Sequence, residues 1–187
     1  EGRASGGRWG EPMTRAEFEA ELRALQEGPQ GAKVQAVTDK IKDIRGREPG
    51  AKVVVFTQWR QTQSRLRAAL QQDGVQLACL SGETSTSQRG KEISRFQNGE
   101  AWVFLASLRS TAAGINLTSA HHIIFVDVCV TPDLLLQACN RVHRIGQEHA
   151  VHITSMVCEG TVEEELYRRM QERGNTLNFP TLQQIFA

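Results

Sequence analysis

The sequence predicts an α/β domain built on one doubly wound, mostly parallel sheet. Three observations carry that expectation. Short apolar runs without polar alternation recur along the chain, VVVF at 53–56 being the clearest, and a strand covered on both faces reads this way. Between the runs lie segments with apolar residues at three- and four-residue spacing, and strands alternating with helices argue parallel βαβ units. The chain has 187 residues, 40% of them hydrophobic, enough for one core without staples.

Each element follows in order. Residues 1–13 are glycine-rich and form a lead-in. Thr14 with Glu17 forms a capping box for a short helix carrying Phe18, Leu22 and Leu25, which Gly28, Pro29 and Gly31 end. Val34, Val37, Ile41 and Ile44 predict a helix over 33–44, closed by Gly46, Pro49 and Gly50. The strand at 53–56 follows. A helix over 58–72 has Leu66 and Leu70 on its apolar side and ends at Gly74. A strand at 75–80 precedes a helix over 87–96, with Ser87 as its expected cap and Ile93 and Phe96 inward. A strand at 102–106, a short helical segment near Ser110 and a strand at 123–127 come next. Pro132 opens the next helix, a first-turn position that suits proline. The last strand is expected at 151–156. Thr161 and Glu164 form a second capping box for a helix to about 173, and 174–187 form a tail with Leu177, Phe179, Leu182 and Ile185 able to dock.

Composition narrows the function classes. Lys+Arg is 22 and Asp+Glu is 21, which excludes a strongly basic tail, although charge gathered on one face still permits nucleic-acid binding. Cys79, Cys129, Cys139 and Cys158 match no CxxC or zinc spacing and read as buried thiols of a reducing compartment. No apolar run is long enough to span a bilayer, and no membrane partner is expected. The chain starts without Met or an apolar signal core, as an excised piece of a longer protein would. His121, His122, His143, His149 and His152 form no HExxH or Cys/His cluster, and adjacent His121 and His122 would point to opposite faces of a strand, so no metal site is predicted.

Ligands of a doubly wound sheet sit beyond the carboxyl ends of its strands. No GxxxxGK[ST] phosphate loop occurs, and no paired acids end a strand; Asp127 stands alone. A complete ATPase centre cannot be built from this chain. It is either a small α/β domain for another ligand or half of a two-part site. The run QACNRVHRIGQ at 137–147 bears on that choice. Arg141 and Arg144 lie three apart near the end of a helix and would face nearly the same way. Two permanently charged guanidinium forks suit a polyphosphate and its transferring phosphoryl group. Gln137, one turn before Arg141, would orient it. The plain alternative is a solvated basic helix end, which the helix dipole mildly favours.

The whole run resembles the last helicase motif of the SWI2/SNF2 family of DNA-dependent ATPases. Other stretches resemble the family in family order: VVVFTQW at 53–59, LSG at 80–82 with Gln88, Arg89 and Phe96, SLR at 107–109 through GINLT at 114–118, and GTVEE at 160–164. The resemblance implies the second RecA-like lobe of a superfamily 2 helicase, a three-layer α/β/α domain over 31–173. The stretches GAKVQAV at 31–37 and REPGAK at 47–52 are similar to the RING-interrupted SHPRH and Rad5-like branch. One departure stands out: the family's Gly-Gly pair before Gly114 is Ala112-Ala113 here.

The implied roles are these. Arg141 and Arg144 would be arginine fingers toward ATP and Mg2+ held mainly by an N-terminal RecA-like lobe of the same protein, with Gln137 supporting them. Gly114 would shape the nucleotide-side loop. Asp127 would bond a backbone group or an arginine there, or simply cap its strand end. Gln58, Trp59 and Arg60, Ser81 and Gly82, and Ser107, Leu108 and Arg109 would approach the duplex DNA backbone through amides, hydroxyls and an arginine; Trp59 packed into the sheet edge is the stronger alternative for that residue. The implied activity is DNA-dependent ATP hydrolysis and duplex translocation in nuclear chromatin remodelling or DNA repair, nucleosomes included. The competing expectation is a protein-interaction lobe of a RING-type ubiquitin ligase, with partners in the ubiquitin pathway.

Overall fold

The computed structural model describes residues 31–176. The expected lead-in and first helix, and residues 177–187 of the expected tail, lie outside the described residues; 174–176 form the end of the last helix. The α/β domain lies in the compact unit that begins at Ala32. Its elements are α1 (Ala32–Arg47), β1 (Val53–Thr57), α2 (Arg60–Gln72), β2 (Leu77–Leu80), α3 (Thr86–Gln97), β3 (Val103–Ser107), a 3-10 segment (Leu108–Ala113), β4 (His122–Phe125), α4 (Pro132–Val142), β5 (His152–Ser155) and α5 (Val162–Thr176).

Five strands form one sheet in the order β2-β3-β1-β4-β5. All four pairings are parallel, with Val53 opposite Val103 on one side and His122 on the other. The architecture is the three-layer α/β/α arrangement expected of a RecA-like lobe. Strand alternation sorts the apolar runs between two cores. Val53 and Val55 join Val103, Leu105, Ile124 and Val126 beneath Val37, Ile41, Leu66 and Leu70 of α1 and α2. Val54 and Phe56 join Phe104, Ala106, Ile123 and Phe125 beneath Phe96 of α3 and Leu135, Ala138, Cys139 and Val142 of α4. Both faces of β1 are therefore covered, which is why its sequence shows no polar alternation.

Local chemistry sets the helix ends. Pro132 occupies the first turn of α4, as expected, with Asp133 beside it and Arg141 in the last turn, both favourable to the helix dipole. The cap of α3 is Ser85 rather than Ser87: Ser85 accepts from Gln88 N–H, and the Gln88 side chain accepts from Ser85 N–H. The second box is also rearranged. Thr161 Oγ1 accepts from Glu163 N–H, but Glu164 reaches one residue further back, to Gly160 N–H at 2.8 Å. Gly160 has φ +69° and turns its N–H toward the helix. Lys33 at the start of α1 pairs with Glu163 at the start of α5.

All four cysteines are free thiols; Cys129 and Cys139 are buried, whereas Cys79 and Cys158 are half-buried. Among the described residues no helix is long and apolar enough to cross a membrane.

Candidate nucleotide and nucleic-acid site

The connection leaving β1 packs on one face of the sheet and those leaving β3 and β4 pack on the other. Their carboxyl ends therefore open a crevice of the kind that holds ligands. The sheet order places the loops after β2, β3 and β1 side by side. Ser81 and Gly82, then Ser107 to Arg109, then Gln58 to Arg60 thus form one continuous row, although the sequence spreads them over some fifty positions.

The row is less open than expected. The N–H of Gln58 donates to Asp127 Oδ2 at 2.8 Å, that of Trp59 to Thr57 Oγ1 at 3.2 Å, and that of Ser81 to Thr84 Oγ1 at 2.9 Å. Three of the backbone amides expected to meet phosphate are thus already used, two within their own turns and that of Gln58 across to the end of β4. Arg60 forms a two-point pair with Glu83, arching over the end of β3. Both partners are exposed, so the pair contributes little stability and opens readily to a competing anion. Leu108 is 1% exposed and its side chain belongs to the core; a side-chain contact with DNA is excluded there. Trp59 departs in the other direction. It is 65% exposed, so it does not pack into the sheet edge. An indole on that edge presents an apolar face and one N–H donor to a ligand. Arg109 is exposed at the start of the 3-10 segment.

Asp127 takes the strand-cap role. The residue is 7% exposed, and its carboxylate accepts from Thr57 Oγ1 at 2.5 Å as well as from Gln58 N–H. Gln58 Nε2 returns a bond to Val128 O at 3.1 Å. Asp127 therefore locks the turn after β1 to the end of β4, and no arginine bonds it among the described residues.

The two arginines sit elsewhere. α4 descends from the carboxyl end of β4 and stops at Val142, where His143 turns extended at φ −86°, ψ 92°. Arg144 lies beyond the helix, so helical spacing does not align it with Arg141. Hydrogen bonds hold the region instead: Leu117 N–H donates to Arg141 O at 2.8 Å, and Gln147 Nε2 lies 3.1, 2.7 and 3.2 Å from the carbonyls of Thr118, Ala120 and Val142. Leu117, Thr118 and Ala120 belong to the segment that enters β4 at its amino end, and Val142 is the last residue of α4, so the arginines are not part of the carboxyl-end row. Gln147 was missed as a site residue; its place inside the QACNRVHRIGQ run was the available signal. Gly146 takes φ +99° in the turn between them.

Arg141 is half-buried and Arg144 exposed. The Nε of Arg141 is buried without a hydrogen-bond partner, and neither guanidinium is paired with a carboxylate among the described residues. A buried guanidinium N–H normally has an acceptor, and its lack here is the kind of debt an anion can settle. Gln137 is exposed one turn back on α4. Gly114 ends the 3-10 segment in the left-handed region, φ 69° and ψ 21°. Ala112 and Ala113 lie inside that 3-10 segment, a conformation alanine adopts freely. The departure from Gly-Gly thus imposes no backbone strain.

Residues 32–146 match the helicase conserved C-terminal domain. The chain is 30% identical over 148 residues to the DNA repair protein RAD5 of Cryptococcus neoformans, covering 78% of this chain and 12% of that protein. It is 32% identical over 142 residues to the DNA repair and recombination protein RAD54B of Mus musculus, covering 75% of this chain and 16% of that one. The chain thus spans a small part of the curated relatives it matches. The C-terminal part of the Fun30 ATPase domain superposes with a TM-score of 0.71 at 26% identity, over 82% of this chain and 50% of that chain. The Pyrococcus furiosus Hef helicase domain shares the fold, with a TM-score of 0.62 at 18% identity, over 84% of this chain and 31% of that one. Similarity extends also to a SWI/SNF-related protein of Arabidopsis thaliana and the helicase SWR1 of Cryptococcus neoformans, so it singles out no branch. The chain belongs to the helicase conserved C-terminal domain family, as a RecA-like lobe of the SNF2 type.

Proposed function

We propose that this lobe completes the ATPase centre of a SNF2-type, DNA-dependent translocase by presenting Arg141 and Arg144 to ATP bound on an N-terminal RecA-like lobe. The carrying observation is the pair of guanidiniums without carboxylate partners, one with a buried, unpartnered Nε. Family membership supports the same reading. The reaction is phosphoryl transfer to water. Its transition state spreads charge over the γ-phosphoryl oxygens, which fixed guanidiniums stabilise. The phosphate loop, the Mg2+ ligands and the water-positioning group belong to the facing lobe. Ile145, fully exposed beside Arg144, suits burial against that lobe. Gln137 supports the arginine surface and Gly114 shapes the loop that packs near it.

Duplex DNA lies, in this reading, along the carboxyl-end row. Trp59, Arg109, Ser81, Gly82 and an Arg60 released from Glu83 contact the backbone without reading sequence. A nuclear place in DNA repair or chromatin remodelling follows from the relatives, and kinship with the RING-interrupted SHPRH and Rad5-like branch from the stretches at 31–37 and 47–52.

The test is DNA-stimulated ATP hydrolysis by the full-length parent. Arg141→Ala and Arg144→Ala are each expected to lower turnover on the order of 10³-fold while nucleotide binding persists. Unchanged turnover in both rejects the finger role and leaves the protein-interaction reading. The 187-residue chain alone is expected to lack substantial ATPase activity and to bind duplex DNA weakly. A fluorescence titration at two salt concentrations checks the latter, and tight, salt-independent binding contradicts it.

A further inference from the structure

At the amino end of the sheet, away from the crevice, four histidines and a glutamate gather. His121 Nε2 lies 2.6 Å from Glu48 Oε1, and His122 Nε2 lies 3.1 Å from Glu48 Oε2. The two rings do not diverge as alternate strand residues would, because β4 begins only at His122. His121 sits just ahead of the pleat, and the ring centroids are 4.6 Å apart. Register brings in a second pair. His152 stands opposite His122 on β5 and stacks on it at 5.0 Å, and His149 packs on His121 at 5.0 Å. Glu48 arrives from the turn after α1, some seventy residues away in sequence.

We propose that Glu48, His121 and His122 form a binding site for a divalent transition-metal ion of the zinc class, with His149 or His152 placed to supply or flank a fourth position. Two imidazoles and one carboxylate are a zinc-type donor set rather than one for magnesium or calcium, which take oxygen. The three donor atoms lie within 4.8 Å of one another. Bonds of about 2.0–2.1 Å in a tetrahedron place donors about 3.3–3.4 Å apart, so the carboxylate must draw back from its 2.6 and 3.1 Å contacts with the rings while donors further apart close in. Glu48 is half-exposed and on a turn, so its carboxylate can follow. A ring whose one hydrogen is on Nε2 would carry it on Nδ1 once the metal takes the Nε2 lone pair, and no net proton need leave.

Solvent reaches His149, His152 and Glu48, which leaves a route for the ion. His149 N–H donates to Gln147 Oε1 at 3.0 Å, so the site borders the loop that carries Arg144. The site does not depend on the ATPase reading.

The experiment uses the whole chain after dialysis against EDTA, titrated with Zn2+ by calorimetry and with Co2+ by visible absorption. The expected result is one equivalent bound, a four-coordinate Co2+ spectrum, and a thermal midpoint that rises with Zn2+ and falls back with EDTA. Glu48→Gln and His122→Gln should each weaken binding by more than about tenfold, since loss of even an outer-shell partner costs that much. Urea unfolding in EDTA verifies that the variants are folded; if His122→Gln is not, Glu48→Gln decides alone. No stoichiometric binding, undiminished affinity in the folded variants, or loss confined to the double variant His149→Gln, His152→Gln overturns the proposal and leaves a hydrogen-bonded pin between α1 and β4.

Discussion

Gln147 offers the sharpest check on how the Arg144 loop is held. Its amide orientation is determined by its neighbours: Oε1 accepts from His149 N–H, and Nε2 faces three carbonyls at 2.7–3.2 Å. Two N–H groups shared among three acceptors amount to two full hydrogen bonds, each contributing about 1 kcal/mol net; the exposed His149 N–H turns to water when Oε1 is removed and adds little. Gln147→Ala is therefore expected to cost about 2 kcal/mol, a fall in Tm of about 4–8 °C for a domain of this size. Gln147→Glu is worse at neutral pH, by about 1 kcal/mol or more beyond the alanine, because it aims an anionic oxygen at the same carbonyls. Those carbonyls disfavour ionisation, so the new carboxyl has a raised folded-state pKa. Its penalty is present at neutral pH and fades as pH falls through that value, where the protonated form regains one donor. Urea unfolding followed by tryptophan fluorescence at several pH values measures this. A Gln147→Glu protein as stable as the parent at neutral pH, or one whose stability does not recover on acidification, refutes the reasoning.

Three further outcomes are expected. Burial tends to raise Glu163, but Lys33 and the Cys158 N–H at 3.0 Å outweigh it and hold its carboxyl below 4.5; this pair stabilises above that value and is lost as pH falls through the lowered native one. Glu163→Gln should cost no more than about 1 kcal/mol at neutral pH, the pair being partly exposed, and should flatten the acid limb of a stability–pH profile below 4.5. Gly114→Ala should cost about 1–2 kcal/mol in urea unfolding from its left-handed backbone alone, since an added Cβ would meet open space. Gly114→Asn should cost less. Burial pushes the Cys139 thiol up to about 12, so timed iodoacetamide labelling with peptide mapping should leave Cys139 unmodified until urea unfolds the chain; prompt native-state labelling contradicts the packing of α4.

The fold was legible because it is written in local patterns. VVVF at 53–56 has no polar alternation, and β1 is covered on both faces. Val34, Val37, Ile41 and Ile44 recur at helical spacing and all four are buried under the sheet. Pro132 marked the first turn of α4 through its fixed φ and missing N–H. Caps were less legible because several serines and threonines compete within one turn, and only the path of the chain selects Ser85 over Ser87.

What spacing along the chain could not convey was direction and convergence. Arg141 and Arg144 were paired by helical periodicity, but α4 ends at Val142 and a hydrogen-bonded loop anchored by Gln147 places Arg144. Leu108 and Trp59 exchanged the expected environments, one in the core and one on the crevice edge, because a residue at a strand's end takes its direction from the turn that follows. His121 and His122 converge on Glu48 because the pleat begins between them and a distant turn supplies the carboxylate. Periodicity along a chain reports which face of an element is buried; which distant side chains meet depends on crossovers and turns that bring together residues with no relation in sequence.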